Sequence, residues 1–299
     1  VSMLFNMLSS MLQPLNPDGP QLAAELSGIE FTSFAQFTKS LFQQVHVEAM
    51  MLGNWQKAEA NSLRASLTAW QQQVQSVGER LKKQSFNLAG LGPVWLEQPM
   101  EGEDQALVIY LPAKQRSARD MALFMLANHM ISPEYFHALR TEQQLGYLVG
   151  TGYVPMNLKP GLSFYIQSPK TSSADLYYAT VMFYRKFLEE LPELTADEFF
   201  QYKDSLAGQI REKDTSLAAR AKRIWLAIGQ DDPQCSLSQE IINELETLTL
   251  AEFSQFCMTL LAPDYDAVFL ATGPAPQHSH MRSMSRQQVI DELTGRCDW

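Results

Sequence analysis

The stretch YFHALRTEQQLGYLVGTGYVP, residues 135–155, changes period halfway along. Tyr135, Phe136, Leu139 and Leu145 recur at helical spacing, whereas Tyr147, Val149 and Tyr153 open a strand-like run with glycines between them. A helix that carries Arg140 therefore turns directly into a strand that opens with Gly146 and Tyr147. As a fold element, Arg140 is a cation near a helix C-terminus, where the macrodipole favours it. Tyr147 is then a strand aromatic packing on a neighbour. As a functional element, the same corner can aim a planar fork of donors and a rigid phenol at one bound carbonyl or oxyanion. The residues alone leave both readings open.

Outward from the corner, the second part of the chain reads strand, helix, hairpin, several helices, strand. ALVIYLPA, 106–113, is a continuous apolar run that suits a buried strand. The region from Arg116 to Gln144 is helical, with Ser132 and Pro133 placed to cap and start a second helix. GYLVGTGYVP (146–155) and LSFYIQS (162–168) flank NLKPG, whose Pro160–Gly161 predicts the hairpin turn. A helix follows from Ser173 as N-cap, and another opens with the Thr195/Glu198 capping-box pattern. Three further helical segments lead to a last strand near 266–272. The polar tail from Pro276 reads as partly disordered, with a short helix in QQVIDEL. These elements predict an α+β fold: a mainly antiparallel sheet packed on helices, with the helices on one face.

Residues 1–88 read as mostly helical. MLFNMLSSML has apolar residues at helical spacing, and NPDGP (16–20) breaks it. A second helix has Phe34, Phe37, Leu41 and Val45 on one face, and a long polar-faced helix covers 57–83. The Gly-, Pro- and acid-rich segment 87–105 marks a boundary, so the expected domains are 1–88 and 89–299.

Composition narrows the function. The 299 residues include 45% hydrophobic and 19% charged side chains, normal for a folded domain with ample core material. A formal net charge of −10 and no basic stripe argue against a nucleic-acid partner. No apolar run approaches the ~18 residues of a membrane span. Cys235, Cys257 and Cys297 are far apart and form no CxxC pair, so neither a disulfide framework nor a thiolate zinc site is expected. The start lacks the basic and small-residue signals of a signal peptide. It also opens inside a helical pattern without a methionine, as a piece of a longer chain would.

No complete catalytic engine is legible. A zinc hydrolase helix needs two imidazoles one turn apart with a carboxylate base. His46 and Glu48 are followed by Met50 where a second histidine would stand. His129 and His137 are eight apart with no third ligand at helical spacing, and His278 and His280 lie in the tail. There is no GxSxG elbow, and GTGYVP is not a phosphate loop.

LRTEQQLGYLV, 139–149, is similar to a motif in the C-terminal half of the insulin-degrading-enzyme-like (pitrilysin) family of zinc metallopeptidases of the inverted HxxEH type. The likeness continues through LKPGLSFYIQSP and reaches back to VHVEAMMLGN (45–54), so it covers essentially the whole chain. The resemblance implies four homologous α+β domains in two halves that close around a peptide, with zinc and its HxxEH motif in the N-terminal half. This chain has no HxxEH. It would be the end of the third domain (1–88) and the metallopeptidase-like fourth domain (89–299), with no metal of its own. The resemblance further implies that Arg140 and Tyr147 reach the substrate near the scissile bond as catalytic and substrate-binding residues. Their partners would be the N-terminal catalytic half and a peptide, with no nucleic acid or membrane involved, and bacterial relatives imply the periplasm. The competing expectation is a non-catalytic scaffold or peptide-binding module of the same fold. Thr141 and Gln144 are expected to cap and pack, and Gly146 to allow close backbone approach.

Overall fold

The computed structural model describes residues 1–76, 80, 83–99, 102–212 and 214–298. Its contacts divide the chain into two units. One comprises Val1–Asn16, Gln84–Glu212 and Ser236–Trp299; the other comprises Pro17–Lys83 and Lys213–Cys235. Relative to a single cut after residue 88, Val1–Asn16 and 84–88 group with the second part, and 213–235 with the first.

The first unit is built on a six-stranded sheet. Its strands are β1 (Val94–Glu97), β2 (Gln105–Pro112), β3 (Leu148–Tyr153), β4 (Gly161–Ser168), β5 (Val268–Ala271) and β6 (Arg282–Ser283), in the order β3-β4-β2-β5-β1-β6. The pairs β3–β4, β4–β2 and β2–β5 are antiparallel, and β5–β1 and β1–β6 are parallel. The sheet is thus mainly antiparallel and packed on helices, as the period change and the hairpin suggested.

One expectation fails: helices cover both faces, not one. On β2, Leu107, Ile109 and Leu111 enter a core with helices α2 (Ala118–Phe136), α3 (Ser173–Glu190), α4 (Ala196–Arg211), α5 (Leu237–Thr247) and α6 (Leu250–Leu260). The alternating Ala106, Val108 and Tyr110 enter a second core with Leu4, Leu8 and Met11 of the N-terminal helix Ser2–Leu12. Val289 and Leu293 of the C-terminal helix Arg286–Leu293 complete that core. An uninterrupted apolar run in a central strand is what burial on both sides demands. The tail read as partly disordered supplies β6 and this last helix.

Local details differ where the competition was fine. Pro133 does not start a helix: α2 runs through it to Phe136. Met130, Ile131 and Tyr135 are buried on either side of the exposed Pro133, so packing outweighs the one backbone hydrogen bond that proline cannot donate. The N-cap of α3 is Ser172, which accepts from the Asp175 N–H, and Ser173 is buried. The hairpin turns at Asn157–Leu158, with φ of 49° and 64°, not at Pro160–Gly161. Met156 and Lys159 exchange backbone hydrogen bonds of 2.9 and 3.0 Å around it, a two-residue primed turn whose twist suits the strands. Gly161 instead opens β4, where a Cβ would stand 2.4 Å from the Tyr110 ring. β1 lies inside the segment read as an aperiodic boundary. The Thr195/Glu198 capping box forms as read.

The second unit holds helices Gly19–Ser27, Phe31–Ser40, Lys57–Gln71 and Leu217–Ile228, with a parallel pairing of Gln44–Val45 and Gln75–Ser76. The helix expected to run on to Val45 ends at Ser40, and Phe34 and Phe37 on its apolar face are exposed. The helix expected over 57–83 ends at Gln71; residues 77–79 and 81–82 of that stretch lie outside the described residues. Within the unit, Arg80 joins the Ile228 carbonyl at 3.1 Å and Asp231 at 2.8 Å.

Candidate functional site

The corner flagged by the sequence is where α2 ends. A single stretch of π-helix, His137–Glu142, continues α2 and carries Arg140. The wide turn is closed by Gln143 N–H donating to the Ala138 carbonyl at 3.0 Å and Leu145 N–H donating to the Leu139 carbonyl at 3.0 Å. Such wide turns recur at functional sites. Leu139 is fully buried and anchors the turn, while Arg140 on the same turn is exposed. Gln144, at φ 52°, then reverses the chain into β3.

Gly146 is required by the approach of the next strand. A Cβ there would lie 2.3 Å from the Gln167 carbonyl oxygen and 2.9 Å from Ile166 Cγ2. The contact lets Tyr147 N–H donate to the same Gln167 oxygen at 3.1 Å, which starts the β3–β4 ladder. Arg140 Nη1 donates to the Gly146 carbonyl at 2.5 Å, spanning the corner. That carbonyl is its sole hydrogen-bond partner among the described residues.

Tyr147 is 50% exposed, and its hydroxyl is not idle. It donates to Asp104 Oδ2 at 2.5 Å and accepts from Gln167 Nε2 at 2.6 Å. Gln167 Nε2 also donates to Asp104 at 3.0 Å. The register explains the meeting. Ala106 pairs with Gln167, so Asp104, two residues before Ala106, shares the face of Gln167. Leu148 pairs with Gln167 from the other side, and Tyr147, one residue before β3 begins, is outside the strand's alternation, so its hydroxyl reaches Gln167 from the corner. The hydrogen bond to the carboxylate, then desolvation, pushes the Tyr147 phenol above its ordinary value. The hydrogen bonds from Tyr147 and Gln167 in turn hold the Asp104 carboxyl below the usual range.

The structure thus places both sequence-identified residues, Arg140 and Tyr147, at one exposed corner. Asp104 and Gln167 escaped the sequence reading. Asp104 sits in an acid-rich segment that resembled a linker, and Gln167 in what read as an ordinary strand. The β2–β4 register joins Asp104 to Gln167, and the corner brings the Tyr147 hydroxyl to both.

The zinc sought in the sequence has no fit here. His46 pairs with Glu48 at 3.3 Å, His137 pairs with Glu142 at 3.3 Å, and His129 faces the Tyr202 ring. Among the described residues, no three His, Cys, Asp or Glu side chains group as metal ligands. No described helix is long and apolar enough to cross a membrane.

Comparison with known proteins bears out the resemblance. The family model described as PQQ synthase PqqF-like, C-terminal lobe domain 4, matches residues 126–225. Insulin-degrading enzyme of Drosophila melanogaster is 21% identical over 243 residues, 79% of this chain and 24% of that protein. Protease 3 of Salmonella typhi is 22% identical over 242 residues, 78% of this chain and 24% of that protein. The chain spans about a quarter of the length of these curated relatives. The crystal structure of pitrilysin superposes with a TM-score of 0.83 at 18% identity, covering 96% of this chain and 31% of that one. The chain is thus similar to insulin-degrading enzyme and Protease 3 over most of its length, and residues 126–225 match a C-terminal lobe domain.

Proposed function

We propose that this chain is the C-terminal, non-zinc-binding part of a zinc metalloendopeptidase that degrades peptides and small proteins. It closes over the peptide, and Arg140 and Tyr147 donate hydrogen bonds beside the scissile bond. Zinc and the activation of water belong to the N-terminal half of the longer protein, which is the partner of this surface. Residues 1–88 form the end of the third domain and 89–299 the fourth, and the family resemblance implies that the protein works in the periplasm.

The observation that carries the reading is the corner itself. A π-turn and a sterically obligatory glycine fix the backbone, while the two donor side chains it presents stay exposed. Negative charge that develops on a carbonyl oxygen is stabilised by hydrogen-bond donors within reach of it. Arg140 uses one N–H on Gly146 and keeps four of its five donors for a ligand. Tyr147 carries a phenolic proton at neutral pH and so has one hydrogen bond to donate.

A second reading draws on the same geometry: the two side chains bond within the chain, so they could serve only to hold the corner of a non-catalytic scaffold. Arg140→Ala and Tyr147→Phe in the full-length protein separate the two. The catalytic role predicts a loss of roughly 10²-fold in peptide cleavage with zinc content and folding unchanged, since one oxyanion donor is worth ~10²–10³ in rate. Lowered thermal stability with near-normal turnover of the folded fraction would instead establish the scaffold role.

A further inference from the structure

A phenol has one proton to give. In this structure Tyr147 gives it to Asp104, and Gln167 fills the lone pair of the same hydroxyl. The acceptor is a carboxylate, so the bond is charge-assisted and stronger than one to a neutral carbonyl. A substrate oxygen can receive the Tyr147 proton only after this bond is broken. We propose that Asp104, braced by Gln167, is a latch that parks Tyr147 away from its working position, and that the bound peptide must displace it. The inference rests on the proposed role of Tyr147 and adds two residues to it.

Three features fit a latch better than a fixed support. First, the Tyr147 backbone is pinned to β4 through Gln167, so release needs only rotation of the side chain, and its exposed surface leaves room for that. Second, a carboxylate at this place repels the negative charge that the donor is meant to stabilise, so Asp104 cannot remain at the hydroxyl as charge develops. Third, Gln167 donates to both Asp104 and Tyr147 from one nitrogen, so the resting arrangement is a closed triangle of 2.5, 2.6 and 3.0 Å. Gln167 Oε1 meanwhile faces the Val1 backbone nitrogen at 3.0 Å, which orients the amide with its nitrogen towards the pair.

The test is peptide cleavage by the full-length protein carrying Asp104→Asn, Tyr147→Phe, or both. Asn keeps the shape but removes the charge that makes the parked bond strong. The difference between a charged and a neutral acceptor predicts a rise of about fivefold in kcat/KM for Asp104→Asn. The rise should vanish in the Tyr147→Phe background, because there is then no hydroxyl to release. If Tyr147→Phe alone leaves cleavage unchanged, the proposed role of Tyr147 fails, and the latch with it. If Tyr147→Phe impairs cleavage but Asp104→Asn equals or falls below wild type, only the latch fails. A rise that persists without the hydroxyl also overturns it. On this chain by itself, the phenolic titration of Tyr147, followed by NMR of labelled tyrosine, should move down in Asp104→Asn. An unmoved titration would show that the latch does not form in solution.

Discussion

Replacing Gly146 by alanine tests the corner with one added carbon. The backbone there lies outside the left-handed region, so the cost is steric alone. The new Cβ would sit 2.3 Å from the Gln167 carbonyl oxygen and 3.1 Å from its carbon, and these are backbone atoms of β4 that cannot rotate away. Ile166 Cγ2, at 2.9 Å, belongs to a fully buried side chain. Overpacking of this kind costs about 1–3 kcal/mol. Relieving it by separating the strands loses the Tyr147 N–H to Gln167 bond, about 1 kcal/mol more. Gly146→Ala should therefore destabilise the chain by about 2–4 kcal/mol in urea unfolding. Gly208 supplies the control: it lies on the exposed face of α4, and nothing stands within 4 Å of its Cβ position. Gly208→Ala should stabilise by about 0.5–1 kcal/mol through helix propensity. Gly146→Ala within 0.5 kcal/mol of wild type, alongside a stabilised Gly208→Ala (both ranges about as stated), would refute the claim that this glycine is fixed by close approach.

The other predictions are narrower. The purified chain should hold no stoichiometric zinc and cleave no peptide; tight zinc in elemental analysis with chelator-sensitive cleavage would overturn this. Burial holds the His129 imidazole below its ordinary value. The unfolded chain then takes up the proton first, so this contribution to stability is complete above about pH 6.5 and is lost as the pH falls towards the folded value. His129→Gln should accordingly flatten stability between about pH 7 and 5, and an unchanged slope would rule the group out. Thr195 accepts from Glu198 N–H at 3.2 Å, and Glu198 returns the bond to Thr195 N–H at 2.8 Å. Thr195→Ala should cost about 1 kcal/mol in the same unfolding assay.

What the sequence made legible follows what is local. The switch of period at Gly146, the apolar run of β2 and the Thr195 capping box each depend on a few neighbouring residues, and each is found. The face of the sheet covered by the helices Ser2–Leu12 and Arg286–Leu293 was missed because its parts come from opposite ends of the chain. The continuous run Ala106–Leu111 already demanded such a cover, but could not say what supplied it. The hairpin turn was misplaced by three residues, because Pro160–Gly161 is the stronger turn signal while Asn157–Leu158 is where φ turns positive. That small shift sets the β3–β4 register, and the β2–β4 register sets Asp104 on the face of Gln167. Asp104 and Gln167 were therefore out of reach until the pairing was known.

The two donors at the corner differ in a way that decides which experiment is informative. Arg140 can hold the Gly146 carbonyl and bind a ligand at once, because its fork has donors to spare. For this residue the structural and catalytic roles are compatible, and Arg140→Ala removes both. Tyr147 has one proton, already given to Asp104, so for it the two roles exclude each other in time. Its ring packing and its backbone bond to Gln167 survive in phenylalanine, whereas its hydroxyl does not. A scaffold would lose only a half-exposed hydrogen bond to Asp104, a modest contribution where water competes. A protease would lose a donor from the charged stage of the reaction. The ratio of the effect on cleavage to the effect on stability in Tyr147→Phe therefore separates the readings without any assumption about Arg140.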